Sequence, residues 1–348
     1  MSNGESMSEW SFISHVTNYL KRPRFGQSKA PTLWPSEATA IVKNKYDEDV
    51  IEGKCRRATY FRFLTECYSY YKDTYSVYQP LVEAIRTEYI EVDNYLRWIW
   101  KQGDLYEEYC IQAAKDSGVY IADQAQVYIP EYNVSGKIDL IVIDPLTNLY
   151  RAVEVKSVYG YGANAVLGTP GQRKDGRLGE PRSSNIIQIA IYDWWYTSRQ
   201  EDFGQSLLSY GARDTGRYAE YIIDTSQDED GLHRIKYSGI SPNITAQVVT
   251  PITIENVLEQ YKYIQNCIDS GEVPNRDFQL SYDEDLIEKL YDRGELNKSD
   301  TSRFEKRKQQ IQEGKTKLIK PVEKGDWQCS RCSYRTICYE QDGTPRDI

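Results

Sequence analysis

Apolar and polar positions alternate most sharply between residues 125 and 157, where "AQVYIP", "GKIDLIVI" and "LYRAVEVKS" each read as a β-strand bounded by turn-forming residues. Before them, residues 56–100 carry a mostly helical pattern rich in Tyr and Trp and broken at Pro80. "GDLYEEYCIQAAKDSG" predicts one more helix, with Gly103 before it and Gly118 ending it. Beyond the strands, "NIIQIAIYDWWYTSRQ" predicts a helix with a Ser/Asn start and "RYAEYIIDT" a strand. "TIENVLEQYKYIQNCIDSG" predicts an amphipathic helix ending at Gly271. Residues 1–54 read as irregular, punctuated by Pro23, Pro31 and Pro35. Residues 158–184 are so rich in Gly, Pro and polar side chains that most of them are expected to lack regular structure. Loops of that length are usually functional or disordered. No internal repeat is present.

The order helix, three strands, helix, strand over residues 100–225 predicts an α/β chain with a small central mixed sheet flanked by helices. Three segments follow from it. Residues 1–100 form an irregular and Tyr/Trp-rich helical region carrying Cys55, residues 101–282 the core, and residues 283–348 a basic segment ending in a cysteine cluster.

Composition narrows the class. The chain is long enough to bury a full core, and its 27% charged and 13% aromatic residues suit a soluble globular protein. No stretch approaches the roughly 18 apolar residues of a membrane span, and the opening "MSNGESMSEW" lacks a signal-peptide core, so an intracellular, cytoplasmic protein is expected. The net charge of −9 argues against wholesale polyanion binding, but it hides local basic runs. Residues 298–324 hold nine Lys/Arg against four Asp/Glu, and "KRPRFGQSK" lies at residues 21–29. Each alone would be ordinary solvated surface; together they are candidate polyanion-guiding surfaces. His15 and His233 stand far apart without a partner motif, which disfavours histidine-based catalysis. Cys67, Cys110 and Cys267 read as small packing residues.

The hairpin at residues 136–157 poses the chemical question. With a turn over Asp144–Leu149, Ile143 pairs with Tyr150, Ile141 with Ala152 and Asp139 with Glu154, and a one-residue slip would separate the two acids onto opposite faces. Facing residues have Cβ atoms about 4.5–5.5 Å apart. Two carboxylates near 5 Å repel by roughly 3 kcal/mol at an effective dielectric of about 20, and burial adds a desolvation cost. Magnesium or manganese, which takes oxygen ligands from one or two carboxylates and keeps several waters, relieves both. The plainer alternative is an exposed cross-strand ion pair with Lys156; the apolar neighbours on both faces count against it.

"GKIDLI" followed by "EVK" resembles the PD-(D/E)XK nuclease superfamily, with Ile138 where that pattern loosely keeps a proline. "QIAIY" supplies the Gln-x3-Tyr that often follows on a helix, as Gln188 and Tyr192. The resemblance implies a restriction-endonuclease-like core in which Asp139, Glu154 and the Val155 carbonyl bind Mg²⁺ or Mn²⁺. It further implies that Lys156 steadies the attacking water or the phosphate, and that Gln188 and Tyr192 position substrate. RecB-like members place a metal-binding histidine in the first core helix after Gly-x3; here that position is Glu107, with Glu108 its competitor. An ordinary acidic residue in a first helical turn is the plain alternative.

Cys329-x2-Cys332-x5-Cys338, with Cys55 far upstream, is compatible on chemistry alone with structural zinc or an iron–sulfur cluster. The pattern of one early cysteine and a late triplet resembles the iron–sulfur branch of RecB-like nucleases, such as the CRISPR-associated single-strand exonucleases and the nuclease domain of AddB. That resemblance implies a 4Fe–4S staple, with Zn²⁺ as the alternative. Together these features predict a metal-dependent DNA exonuclease acting on single-stranded ends, 5′ to 3′ by family resemblance, in phage or prokaryotic recombination, repair or CRISPR adaptation. Two rivals stand beside it: a catalytically inactive DNA-binding or adaptor protein that keeps the fold, and a zinc-stapled nuclease. No membrane partner is expected, and a homo-oligomer is open.

Overall fold

The computed structural model describes residues 13, 31–70, 79–175, 177–240, 245–340 and 342–348. The basic run at 21–29, His15 and the Cys67 side chain lie outside the described residues. In chain order the elements begin with the hairpin β1 (Thr39–Lys43) and β2 (Asp49–Gly53), then the helices α1 (Arg56–Tyr70), α2 (Gln79–Glu88) and α3 (Asn94–Asp116). β3 (Tyr120–Ile129), β4 (Val134–Ile143) and β5 (Tyr150–Val158) come next, then α4 (Gly160–Leu167), α5 (Pro170–Lys174) and α6 (Ser183–Thr197). β6 (Ser206–Ala212), β7 (Tyr218–Asp224), β8 (Arg234–Gly239) and β9 (Val248–Thr253) complete the strands. α7 (Ile254–Ser270), α8 (Glu284–Asp292), α9 (Lys298–Gln312), α10 (Trp327–Ser330) and α11 (Arg335–Cys338) follow.

β3 to β9 form one seven-stranded sheet in sequence order. Neighbours are antiparallel except β5 and β6, which run parallel because the helices α4 to α6 carry the chain back between them. α6 and α7 cover one face and bury Ile187, Ile189, Ile191, Val257 and Ile264 there. α3 lies on the other, over a small cluster of Ala114, Leu140, Val153 and Val155. β4 and β5 are therefore covered on both sides, as their continuous Val/Ile content requires. α8 and α9 close on a separate cluster of Ile287, Leu296 and Val322. Among the described residues no helix is long and apolar enough to cross a membrane.

Several expectations need correction. Residues 39–53 are a hairpin, not irregular chain: Ala40 and Val42 are buried, and the Ile41 N–H donates to Asn256 Oδ1 on α7 at 2.8 Å. Gly103 does not precede a helix but sits inside α3, which Asp93 caps by accepting from the Tyr95 N–H at 2.9 Å, ahead of residue 100. The segment 158–184 contains two helices; Ala163, Val166 and Leu167 bury themselves against the sheet, and Thr169 and Gln172 form a capping box. The sheet gains β6 within residues 100–225, and it reaches Thr253 instead of ending near residue 225 because β8 and β9 also join it.

Candidate functional site

The β4–β5 ladder runs from Ile143↔Tyr150 through Ile141↔Ala152 to Leu140↔Val153, the expected register. The paired ladder ends there; Asp139 and Glu154 are the next residue on each strand, and Asp139 bonds across to β5. Its Oδ2 accepts the Val155 N–H at 2.9 Å. Glu154 points into the protein and is only 1% exposed. Its Oε1 accepts from Gln188 Nε2 on α6 at 2.6 Å and from the Lys156 ammonium. Its Oε2 is buried with no hydrogen-bond partner among the described residues.

Burial pushes the Glu154 carboxyl up to about 7 against the pull of Lys156, and the charge of Asp139 adds to the rise. Burial likewise raises Asp139, with Lys156 opposing it. Burial drags Lys156 down, but Glu154 and Asp139 outweigh it and hold the ammonium above its ordinary value. The lysine therefore stays a cation. The region carries more negative charge than its hydrogen bonds can settle.

Glu107, on α3, completes the acidic group. Burial pushes its carboxyl up to about 7, with the charge of Asp139 next in effect. Glu108 faces solvent and pairs with Lys101 at 3.8 Å. Sequence reasoning missed Gln124. It stands on β3 between the pairs Asp123↔Leu140 and Ala125↔Ile138, at the level of Asp139, and its Nε2 donates to Glu107 Oε1 at 2.6 Å. Its backbone is left-handed, φ 48°, which is uncommon for a residue with a side chain.

Gln188 and Tyr192 face the sheet from α6, as their shared stripe predicts, and each bonds to the protein itself. Both are buried. Gln188 orients Glu154, and the Tyr192 hydroxyl donates to the Lys137 carbonyl at 3.1 Å, anchoring β4 to α6. The approach depends on Gly136, where a Cβ would stand 2.5 Å from the Tyr192 hydroxyl. Asp193 also escaped sequence reasoning. It is 1% exposed and takes the Ser206 N–H at 2.7 Å, the Thr225 N–H at 3.1 Å and the Thr225 hydroxyl at 2.6 Å, fixing α6 to β6 and the end of β7.

A cavity of about 590 Å³ opens between the first half of α3 and the chain just past β5, walled by Tyr95, Trp98, Gln102 and Leu105 of α3, Tyr159 and Arg213. Tyr159 follows Lys156 by three positions. The Tyr95 and Tyr159 hydroxyls meet at 2.6 Å, and the Arg213 guanidinium lies 5.2 Å from the Tyr159 ring centroid. The basic residues of α9 are partly spent elsewhere, Lys308 on Glu288 at 2.9 Å and Arg307 on the Ile319 carbonyl at 2.6 Å.

Cys55, Cys329, Cys332 and Cys338, three of them close in sequence and one about 275 residues away by the numbering, line one small cavity of about 20 Å³. None is in a disulfide. Burial pushes the Cys55 and Cys329 thiols up to about 12 and those of Cys332 and Cys338 up to about 11. Without a cation all four are neutral. Among the described residues no three His, Cys, Asp or Glu side chains are gathered so as to hold a metal ion. The donor sets suit different metals: oxygens with an unpartnered buried Oε2 for a hard cation at the hairpin, and free thiols for zinc or iron–sulfur at the cavity.

No protein-family model matches the chain, and no curated protein sequence matches it.

Proposed function

We propose that the chain is a metal-dependent deoxyribonuclease of the PD-(D/E)XK type, acting on single-stranded DNA ends. The observation that carries this proposal is Glu154, a carboxylate 1% exposed with one oxygen unpartnered, opposite Asp139 and under the electrostatic influence of Glu107. A structural ion pair with Lys156 would satisfy one oxygen and leave that conflict in place. Glu107, Asp139, Glu154 and the Val155 carbonyl would hold Mg²⁺ or Mn²⁺. Such a cation, when bound, neutralises the phosphate and lowers the pKa of a nucleophilic water.

The protein's own groups do the rest. Gln188 fixes the rotamer of Glu154 through Oε1, leaving Oε2 free to ligate. Gln124 holds Glu107 from the side. Lys156, kept charged by its two carboxylate neighbours, serves as a fixed positive charge for the phosphate and not as a base. The Tyr95, Trp98, Tyr159 and Arg213 cavity offers faces on which unpaired bases stack without sequence preference. The four cysteines would form a metal staple, 4Fe–4S or zinc, joining α1 to the C-terminal segment.

The test is digestion of end-labelled single- and double-stranded DNA, linear and circular, with Mn²⁺ or Mg²⁺. Linear single strands should be degraded by the wild type and not by Asp139→Ala or Lys156→Ala. A wild-type protein that binds DNA without metal-dependent cleavage would establish the adaptor role instead.

A further inference from the structure

The cysteine cavity contains a positive charge that its walls do not balance. Arg57, in the first turn of α1, lines it and is only 8% exposed. Its Nε donates to the Pro274 carbonyl at 2.6 Å, Nη1 is buried without a hydrogen-bond partner among the described residues, and the guanidinium lies near enough to Cys338 to pull that thiol down against the effect of burial. The acid in the wall, Asp277, is taken by Arg56, which donates from its backbone N–H at 2.6 Å and from Nε at 2.9 Å. Arg276 is turned to the Cys338 and Arg346 carbonyls, and Arg335 Nη1 donates to the Ser330 carbonyl at 2.9 Å. A guanidinium cannot shed its proton to escape burial, and an unpaired buried charge is strongly destabilising. As thiols, the four cysteines that share the wall carry no counter-charge. Four thiolates around a cation do.

We propose that Arg57 is the counter-ion of an anionic metal–thiolate centre at Cys55, Cys329, Cys332 and Cys338, with its Nη1–H donating to sulfur of that centre. The proposal rests on the cysteines forming a metal centre, but not on which metal. Four thiolates on one Zn²⁺, or on a 4Fe–4S core in its 2+ state, leave the same net double negative charge. Arg57 thus makes metal loading and folding of α1 mutually dependent. In the metal-free protein it is a liability; in the loaded protein it is a tether.

The test uses the full chain purified without oxygen. Iron, acid-labile sulfide and zinc are quantified, and thermal unfolding is followed before and after stripping with chelator and reductant. Loaded Arg57→Met should unfold at lower temperature than loaded wild type and lose its metal several-fold faster to chelator. Once both are stripped, the order should vanish or reverse. In a Cys329→Ser background, which removes one ligand, Arg57→Met should carry no penalty. Equal destabilisation of the loaded and stripped forms would overturn the proposal and leave Arg57 as an anchor for Pro274. Should Arg57→Met fail to fold, Arg57→Lys and Arg57→Gln decide: retention of metal by Lys alone supports a charge role, and equal loss from both contradicts it. A wild type that binds neither iron nor zinc would refute the metal centre itself, whereas a metal-binding wild type that Arg57→Met matches in every respect would refute Arg57 alone.

Discussion

Glu154 is held where a carboxylate is least at home, inside the sheet–helix interface with a single oxygen satisfied. Replacing it with Gln removes the charge and keeps an oxygen to accept from Gln188. Glu154→Gln should therefore melt no lower than wild type without metal, yet show no Mn²⁺-induced rise in Tm, and its DNA cleavage should fall roughly a hundredfold or more. Differential scanning calorimetry with and without Mn²⁺ checks the first part, and single-turnover digestion the second. The same chemistry has a pH signature. Glu107 and Glu154 ordinarily titrate near 4.5, and burial pushes both up to about 7. Between those limits these two groups bind more protons in the folded, metal-free protein than in the unfolded chain, so their contribution to stability is fully present below 4.5 and is lost as pH rises through 7. A cation must displace those protons, so Mn²⁺ affinity should climb across pH 6 to 8, by about tenfold per unit for each proton released. Calorimetric titrations in buffers of different ionisation enthalpy would count them.

At the scale of elements, the β6 position in the sheet depends on a side chain in α6. Asp193 takes the Ser206 N–H at the start of β6 and both donors of Thr225 just past β7. Asp193→Ala strands buried donors and should cost about 3 kcal/mol in urea unfolding. Loss under about 1 kcal/mol would mean that the strands hold their places without it. This dependence also explains what could be foreseen from sequence and what could not. The β4–β5 hairpin was legible because two β-branched apolar runs joined by a short polar turn fix its register locally. β6 was not, because Ser206 and Ser209 interrupt its apolar run and a distant aspartate satisfies the backbone at its start. β1 and β2 are short and dock through Asn256, more than 200 residues away. α4 lies in a glycine-rich stretch whose three buried aliphatics matter only once the sheet is in place. Asp139, Glu154 and Lys156 could be picked out as a group; Gln124 could not, because nothing in its local pattern marks a strand residue that turns left-handed to hold a helix glutamate. Gln188 and Tyr192 were placed on one stripe of α6 able to face the sheet, and that stripe packs on it.

Across the whole molecule, a net charge of −9 leaves little general attraction for DNA, so grip must come from local features. The aromatic cavity that begins at Tyr159, three positions after Lys156, is the candidate among them. Tyr159→Ala removes both a stacking face and the Arg213 contact, and should weaken single-strand binding by about 1–3 kcal/mol while sparing duplex binding. Fluorescence anisotropy with catalysis blocked by Ca²⁺ in place of Mn²⁺ would measure it. An equal loss for both substrates would place the strand path elsewhere.

The most direct measurement is Mn²⁺ binding followed by electron paramagnetic resonance at neutral to mildly alkaline pH, comparing wild type, Asp139→Ala and Glu154→Gln. Saturable binding by the wild type, tightening with pH and lost in both variants, is the expected result. Wild-type protein that leaves Mn²⁺ free in solution, or variants that bind it equally well, would contradict a cation site between β4 and β5 and with it the proposed hydrolysis.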